Sequence, residues 1–347
     1  MIKSKLNIFL FFIPFFFLGC LSDAVAQIGG RHIYEFLEAP TSARITALGG
    51  LQIALPDDDI AMGYQNPALY DSLMHKKVQL GHQLFFAGIS NGYVATAFQL
   101  QPKLVVSAGL QYITYGQFQQ TDVAGNNLGA FSGSEFALNA GASYKIKPKI
   151  KVGTNLKLIG SYLYQYQSYG VGVDVGVAYT DTAKNFTAGL VVKNAGLQLV
   201  KYNEDRESLP FDLQIGLSKR LKYVPFRFGI TLHHLHQWNI RYDDPALEDS
   251  TPFLNPDEVP KEKKFFVDKL FRHVNLSGEF YLDKIINFRF GYNHLKRREL
   301  LLSQLPGLTG FSGGVGIELK RLSISYGKAF YTSPASTNHF TFEYQLK

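Results

Sequence analysis

From Lys77 to the C-terminus, hydrophobic and polar residues alternate in one run after another. In 149–162 (KIKVGTNLKLIGSY), Ile150, Val152, Leu156, Leu158 and Tyr162 share one face, and Lys149, Lys151, Asn155, Lys157 and Ser161 share the other. In 169–179, Val171, Val173, Val175 and Val177 oppose Gly170, Gly172, Asp174, Gly176 and Ala178. The last residues repeat the pattern, with Phe340, Phe342, Tyr344 and Leu346 set against Thr341, Glu343, Gln345 and Lys347. A period of two over ten or so residues means strands with one apolar and one polar face.

Fourteen such runs are legible, near 77–86, 89–100, 103–115, 134–147, 149–164, 167–180, 184–194, 210–221, 224–240, 269–283, 286–298, 311–320, 321–330 and 337–347. The connections after even-numbered runs are short. The long ones, 116–133, 195–209, 241–268 and 299–310, all follow odd-numbered runs. A soluble sandwich has no reason to sort its loops by parity. A membrane barrel does, because its turns are short on one side and its loops long on the other. The fold expected is an all-β transmembrane, fourteen-stranded antiparallel outer-membrane barrel, spanning 76–347. Its apolar face meets lipid, and its lumen is lined by Lys145, Lys149, Lys151, Lys157, Asp174, Arg227, Glu279, Arg289, Glu318 and Glu343. Tyr115, Tyr162, Tyr179, Trp238 and Tyr292 are expected at the interfacial girdles. Composition agrees: 28 Phe and 20 Tyr stand against one Trp, with 32 Gly and 14 Pro.

The first 26 residues read as a signal peptide. Lys3 and Lys5 precede the apolar stretch Leu6–Leu18, too short to span a bilayer, and AVA at 24–26 is an A-x-A cleavage site. A second reading takes FLGC at 17–20 as a lipoprotein box with Cys20 lipidated, although Phe17 stands where Leu is usual. Cleavage after Ala26 removes Cys20, the chain's one cysteine, and with it disulfide and thiol chemistry. The net charge of +7 points to anionic headgroups, since an exported chain has little access to nucleic acid.

Residues 27–75 are not strand-like. TSARITALGG (41–50) reads as a short helix capped by Thr41 or Ser42 and ended by Gly49 and Gly50. Asn66-Pro67 reads as an N-cap with proline at the first helical position, opening a second short helix through Leu73. Such a segment can enter the lumen as a small helical N-terminal plug, where Arg44 and the aspartates 57–59 meet the charged wall.

ARITALGG, the acidic turn before Ile60-Ala61 and NPAL at 66–69 resemble the N-terminal hatch of FadL-like outer-membrane proteins. With the opening string GGRHIYEFLEAPTSARITALGG (29–50), the chain is most similar to the PorV/PorQ branch of the type IX secretion system, on the PorQ side. The hatch residues carried by the resemblance are Arg44, Gly49, Gly50, Asn66 and Pro67, in a structural role. The resemblance implies a non-enzymatic component of the attachment complex, without cofactor. Its partners would be a PorZ-like surface protein, which it anchors, and PorV and PorU-like components. The alternative is a FadL-like importer of fatty acids or other hydrophobic molecules. A lumen rich in charge suits a filled interior better than a greasy conduit.

Signals for chemistry are few. His234 and His236 of HHLH (233–236) would share the lipid-interface face with Trp238, with His233 opposite, so the cluster reads as girdle. Asp57, Asp58 and Asp59 lack EF-hand spacing and read as a turn and cap. No G-x-S-x-G occurs, and the glycines of 312–318 belong to a strand. The loop 241–268, acidic, proline-restrained and carrying Phe253, Leu254, Phe265 and Phe266, is the expected docking surface for the partner. Long loops are expected outside the cell and both termini in the periplasm.

Overall fold

The computed structural model describes residues 32–240, 266–283, 285–300, 307–332 and 335–347. The signal peptide, Cys20, Phe253, Leu254 and Phe265 lie outside the described residues. The fourteen strands are β1 Lys77–Leu84, β2 Ser90–Gln101, β3 Leu104–Thr121, β4 Asn127–Lys147, β5 Ile150–Leu163, β6 Tyr166–Asp181, β7 Phe186–Val200, β8 Asp212–Arg220, β9 Phe226–Leu232, β10 Val274–Leu282, β11 Ile286–Asn293, β12 Phe311–Glu318, β13 Leu322–Phe330 and β14 Ser336–Gln345. Each pairs antiparallel with its sequence neighbour, and β1 pairs with β14, so the sheet closes on itself and leaves no edge. No described helix is long and apolar enough to cross a membrane.

The faces fall as the alternation predicts. On β6, Val173, Val175 and Val177 are exposed while Asp174 is fully buried. On β5, Leu156 and Leu158 face out and Asn155, Lys157 and Ser161 face in. An apolar wall running around the whole circumference far exceeds the patches of a few hundred Å² that soluble monomers tolerate. Hydrocarbon is the solvent in which it costs nothing.

Several expectations need correction. Lys145 and Lys149 are exposed at the short-turn rim instead of lining the lumen. Tyr115 turns inward, donates its hydroxyl to Glu135 and packs against a buried cluster that includes Ile113 and Leu209. The stretch 116–133 is largely strand: β3 and β4 continue as a paired arm beyond a bulge at Thr114/Gln117, close to Gly116 at φ 78°. β9 ends at Leu232, eight residues early. Two short helices replace strand ends, α3 Phe266–Arg272 before β10 and α4 His294–Leu300 after β11.

Ahead of β1, the chain folds into short helical pieces within the barrel. α1 is Ala43–Ala47, with the Ser42 hydroxyl accepting from the Ile45 N–H; α2 is Ile60–Gln65, with the Asp59 carboxylate accepting from the Ala61 N–H. α1 ends where Gly49 and Gly50 take φ of 92° and 89°, which lets the Gly50 N–H reach the Ile45 carbonyl at 2.9 Å. Asn66-Pro67 does open a helical turn, but only a 3-10 turn, Pro67–Leu69. The chain is extended at Tyr70 and turns again at Ser72–Met74, so no single helix runs to Leu73.

Candidate functional site

The candidate site is the interior of the barrel, where the segment before β1 meets the inward faces of the strands. Strand register builds its centre. Glu279 of β10 lies directly opposite Arg227 of β9 and Arg289 of β11, which puts three inward charges in one row. Arg44 of α1 completes it. Its Nε and Nη2 donate to the two Glu279 oxygens at 2.7 and 2.9 Å, and Nη2 also pairs with Asp57. Arg227 Nη1 donates to Asp57 Oδ2 at 2.6 Å and stands 3.4 Å from Glu279 Oε2, while Arg289 Nε is 3.4 Å from Glu279 Oε1. The Tyr281 hydroxyl donates to Glu279 at 2.7 Å. Burial opposes ionisation of Asp57, but the Arg44 and Arg227 guanidiniums outweigh it and hold the carboxyl well below the usual range. Buried charges with this many partners tie the segment to the wall, because removing any one leaves the others with fewer counter-charges away from water.

The two glycines and the Asn-Pro step sit at other contacts with the wall. The Gly49 N–H donates to Ser312 Oγ at 3.0 Å, and Asn275 Nδ2 donates to the Leu48 and Leu51 carbonyls at 3.0 and 2.9 Å. The backbone comes so near that a Cβ on the inward Gly291 would overlap Gly49 and Leu48. Asn66 caps its turn with Oδ1 and spends Nδ2 on the Ile53 carbonyl at 2.9 Å. Pro67 lies against β5 so closely that a Cβ at Gly153 would overlap the Pro67 carbonyl. Arg44, Gly49, Asn66 and Pro67 thus meet the wall at different places, while Gly50 closes the end of α1.

Of the inward side chains that receive it, Lys151, Lys157 and Asp174 were expected in the lumen, while Lys77 and Gln79 were not singled out. Lys151 Nζ meets Asp71 Oδ2 at 2.8 Å, Lys77 pairs with Asp58, and Gln79 Nε2 donates to Asp59 Oδ1 at 2.8 Å. Behind them, Lys157 and Asp174 form a fully buried pair at 2.8 Å, with the Lys157 ammonium 4.6 Å from the centre of the Tyr64 ring. Tyr64 and Tyr93 meet edge to face at 5.5 Å, and burial pushes the Tyr70 hydroxyl up to about 12. A lumenal position was legible for the wall residues, but no local signal tells which residue of the segment each one meets.

Two cavities lie toward opposite ends and share no lining residue. One, of about 260 Å³, is bordered by Asp58, Lys77, Arg289, Lys320 and Glu343 near the short turns. The other, of about 230 Å³, is bordered by Glu38, Lys193, Phe211, Asp212, His233 and His236 at the mouth with the long connections. The histidines there depart from the expected pattern. Because β9 stops at Leu232 and His234 takes φ 54°, His233, His234 and His236 all come near Asp212, instead of splitting between two faces of a strand. Phe266 begins α3, is exposed, and lies tilted against Trp238 with ring centres 5.9 Å apart.

No protein-family model matches the chain, and neither does any curated protein. Among solved structures the fold is similar to the toluene transporter TbuX of Ralstonia pickettii, with a TM-score of 0.54 and 11% identity over 90% of this chain and 100% of that one. It is similar to the toluene transporter TodX of Pseudomonas putida, with a TM-score of 0.53 and 12% identity over 88% of this chain and 96% of that one. A FadL homologue of Pseudomonas aeruginosa gives 0.50 at 8% identity, over 88% and 98% of the two chains. At these identities what is shared is the fold.

Proposed function

We propose that this protein is an integral outer-membrane barrel with a filled lumen, and that it anchors a surface protein without acting as an enzyme. The observation that carries the reading is how the segment before β1 is held. It is bound to inward side chains of strands around the barrel, through buried and half-buried ion pairs and backbone contacts too close for even a methyl group. Such an interior suits a rigid scaffold, and the segment serves in it as a plug. The resemblance of residues 29–69 to the PorV/PorQ branch supports a place for the scaffold in the attachment complex of a type IX secretion system. A PorZ-like surface protein would be its partner, beside PorV and PorU-like components. The long connections would face outward, the termini the periplasm, and the loop 241–268 with Phe253, Leu254, Phe265 and Phe266 would carry the partner.

The fold favours a second reading more directly than the first. The structures it resembles include two toluene transporters, and a barrel of this build can import fatty acids or other hydrophobic molecules. The mouth cavity, bordered by Phe211 and Leu295 among polar groups, is where such a molecule would enter.

A deletion strain separates the two. Under the anchoring reading, surface-attached cargo and the partner appear in the medium, while uptake of toluene and long-chain fatty acids is unchanged. Loss of uptake with surface attachment intact establishes the importer and overturns the anchor. Replacing 247–262 by a short Gly/Ser linker should release the partner while the barrel stays folded and heat-modifiable on a gel. A partner that stays cell-associated removes that loop from the tether.

A further inference from the structure

We propose that Asp212, His233 and His234, joined by His236, form a binding site for a divalent transition cation of the zinc class at the mouth of the barrel. One carboxylate oxygen of Asp212 and one nitrogen each of His233 and His234 lie within 4.8 Å of one another. His234 Nδ1 is 4.0 Å from Asp212 Oδ2, and His236 Nδ1 is 3.9 Å from Asp212 Oδ1. Both separations are too long for hydrogen bonds. They fit ligands on different sides of one cation, each about 2.0–2.2 Å from it. Imidazole with a carboxylate is a donor set for zinc, copper or nickel, whereas calcium and magnesium take all-oxygen sites.

The backbone is arranged for this convergence. On a continuing strand, His233 and His234 would point to opposite sides of the wall. The left-handed conformation of His234, φ 54°, instead folds the chain so that their Nδ1 atoms stand 2.6 Å apart, sharing a proton that on cation binding would pass to the far nitrogen of the same ring. A non-glycine residue held there is strained, and such strain gathers at functional sites.

Neighbours hold each donor. Asp212 accepts from the His234 N–H and from Gln214 Nε2, both at 2.6 Å, one bond on each oxygen, which leaves each a lone pair for metal. His233 is clamped by His273, which accepts the His233 N–H on its carbonyl at 3.0 Å and holds the His233 carbonyl with ring Nδ1 at 2.8 Å. The His273 ring stacks on Trp238 at 5.4 Å. The buried His233 Nε2 and Gln214 Oε1 have no partner, although His233 and Gln214 both border the 230 Å³ cavity. Hydrogen bonding within the cluster therefore leaves polar capacity unused, which a cation with its bound water would satisfy. The site stands whether the barrel anchors or imports.

The test uses the full-length barrel in detergent, stripped with a chelator and titrated with Zn²⁺ against a chromophoric competitor. The expected result is one equivalent bound per chain, with Co²⁺ giving the visible absorption of a nitrogen- and oxygen-ligated ion. Asp212→Asn and His234→Gln should each weaken binding at least tenfold, and His236→Gln, at a half-exposed position, should weaken it as well. Heat-modifiable migration on a gel confirms that each variant is folded. Failure of the wild-type barrel to take up Zn²⁺ at micromolar free metal overturns the proposal. So does equal uptake by folded His236→Gln and wild type, even if the other variants do not fold.

Discussion

Arg44 and Glu279 are separated by 235 positions in the chain, yet the Arg44 guanidinium lies across both oxygens of the Glu279 carboxylate, at 2.7 and 2.9 Å, inside the barrel. Neither is placed by its neighbours in sequence. α1 aims one, and the closed sheet presents the other between Arg227 and Arg289.

Breaking this contact should loosen the segment before it loosens the barrel. Arg44→Met leaves Glu279 with two more distant arginines and Asp57 with one. Removing one partner of a buried ion pair costs about 3–5 kcal/mol, and the low end is expected because partners remain. Limited proteolysis should cleave the variant within 32–75 while the barrel keeps its heat-modifiable migration. Resistance equal to wild type would mean that the other contacts suffice.

The same network predicts a pH response. The Asp57 carboxyl is depressed below its ordinary value of 3.8. A depressed carboxyl contributes stability that is fully present above the unfolded value and is lost as pH falls through the folded one. Protection of the segment from an acid-active protease should therefore be level from neutrality to pH 3.8 and fall only below it. A decline beginning near neutrality would assign control to another group.

Close approach to the wall should be as strict as charge. Gly153→Leu drives a side chain into the Pro67 carbonyl, where the backbone cannot yield. The strands should still close, since Gly153 keeps its place opposite Ser143 and Gly176. A cysteine at the fully buried Ala68 should become reactive to a thiol reagent in this variant and stay protected in its absence. Protection in both would show that the wall moves instead.

Orientation is open to labelling on whole cells. Val123, fully exposed at the tip of the β3–β4 arm, belongs to the end with the long connections, and Lys103 to the end with short turns. A cysteine at Val123 should react with an impermeant reagent and one at Lys103 should not. The reverse would invert the barrel in the membrane.

What the sequence determined is local and repetitive. Alternation fixed the strand number and the lipid-facing side of each strand, because a residue's face depends only on its parity and on the solvent it meets. Ser42, Asp59, Gly49 and Asn66-Pro67 marked the turns of the first segment, because capping is settled within a few residues. Tertiary structure decided the pairings. Glu279 reaches Arg227 and Arg289 through strand register, and Arg44 through the path of a segment that shares no periodicity with the wall. Where β9 ends, parity stopped applying. His234 takes a left-handed turn, and histidines assigned to opposite faces gather on Asp212, 21 residues before the first of them. Alternation carries information only while the strand continues; past Leu232 the His234 N–H instead donates to Asp212, at the start of β8.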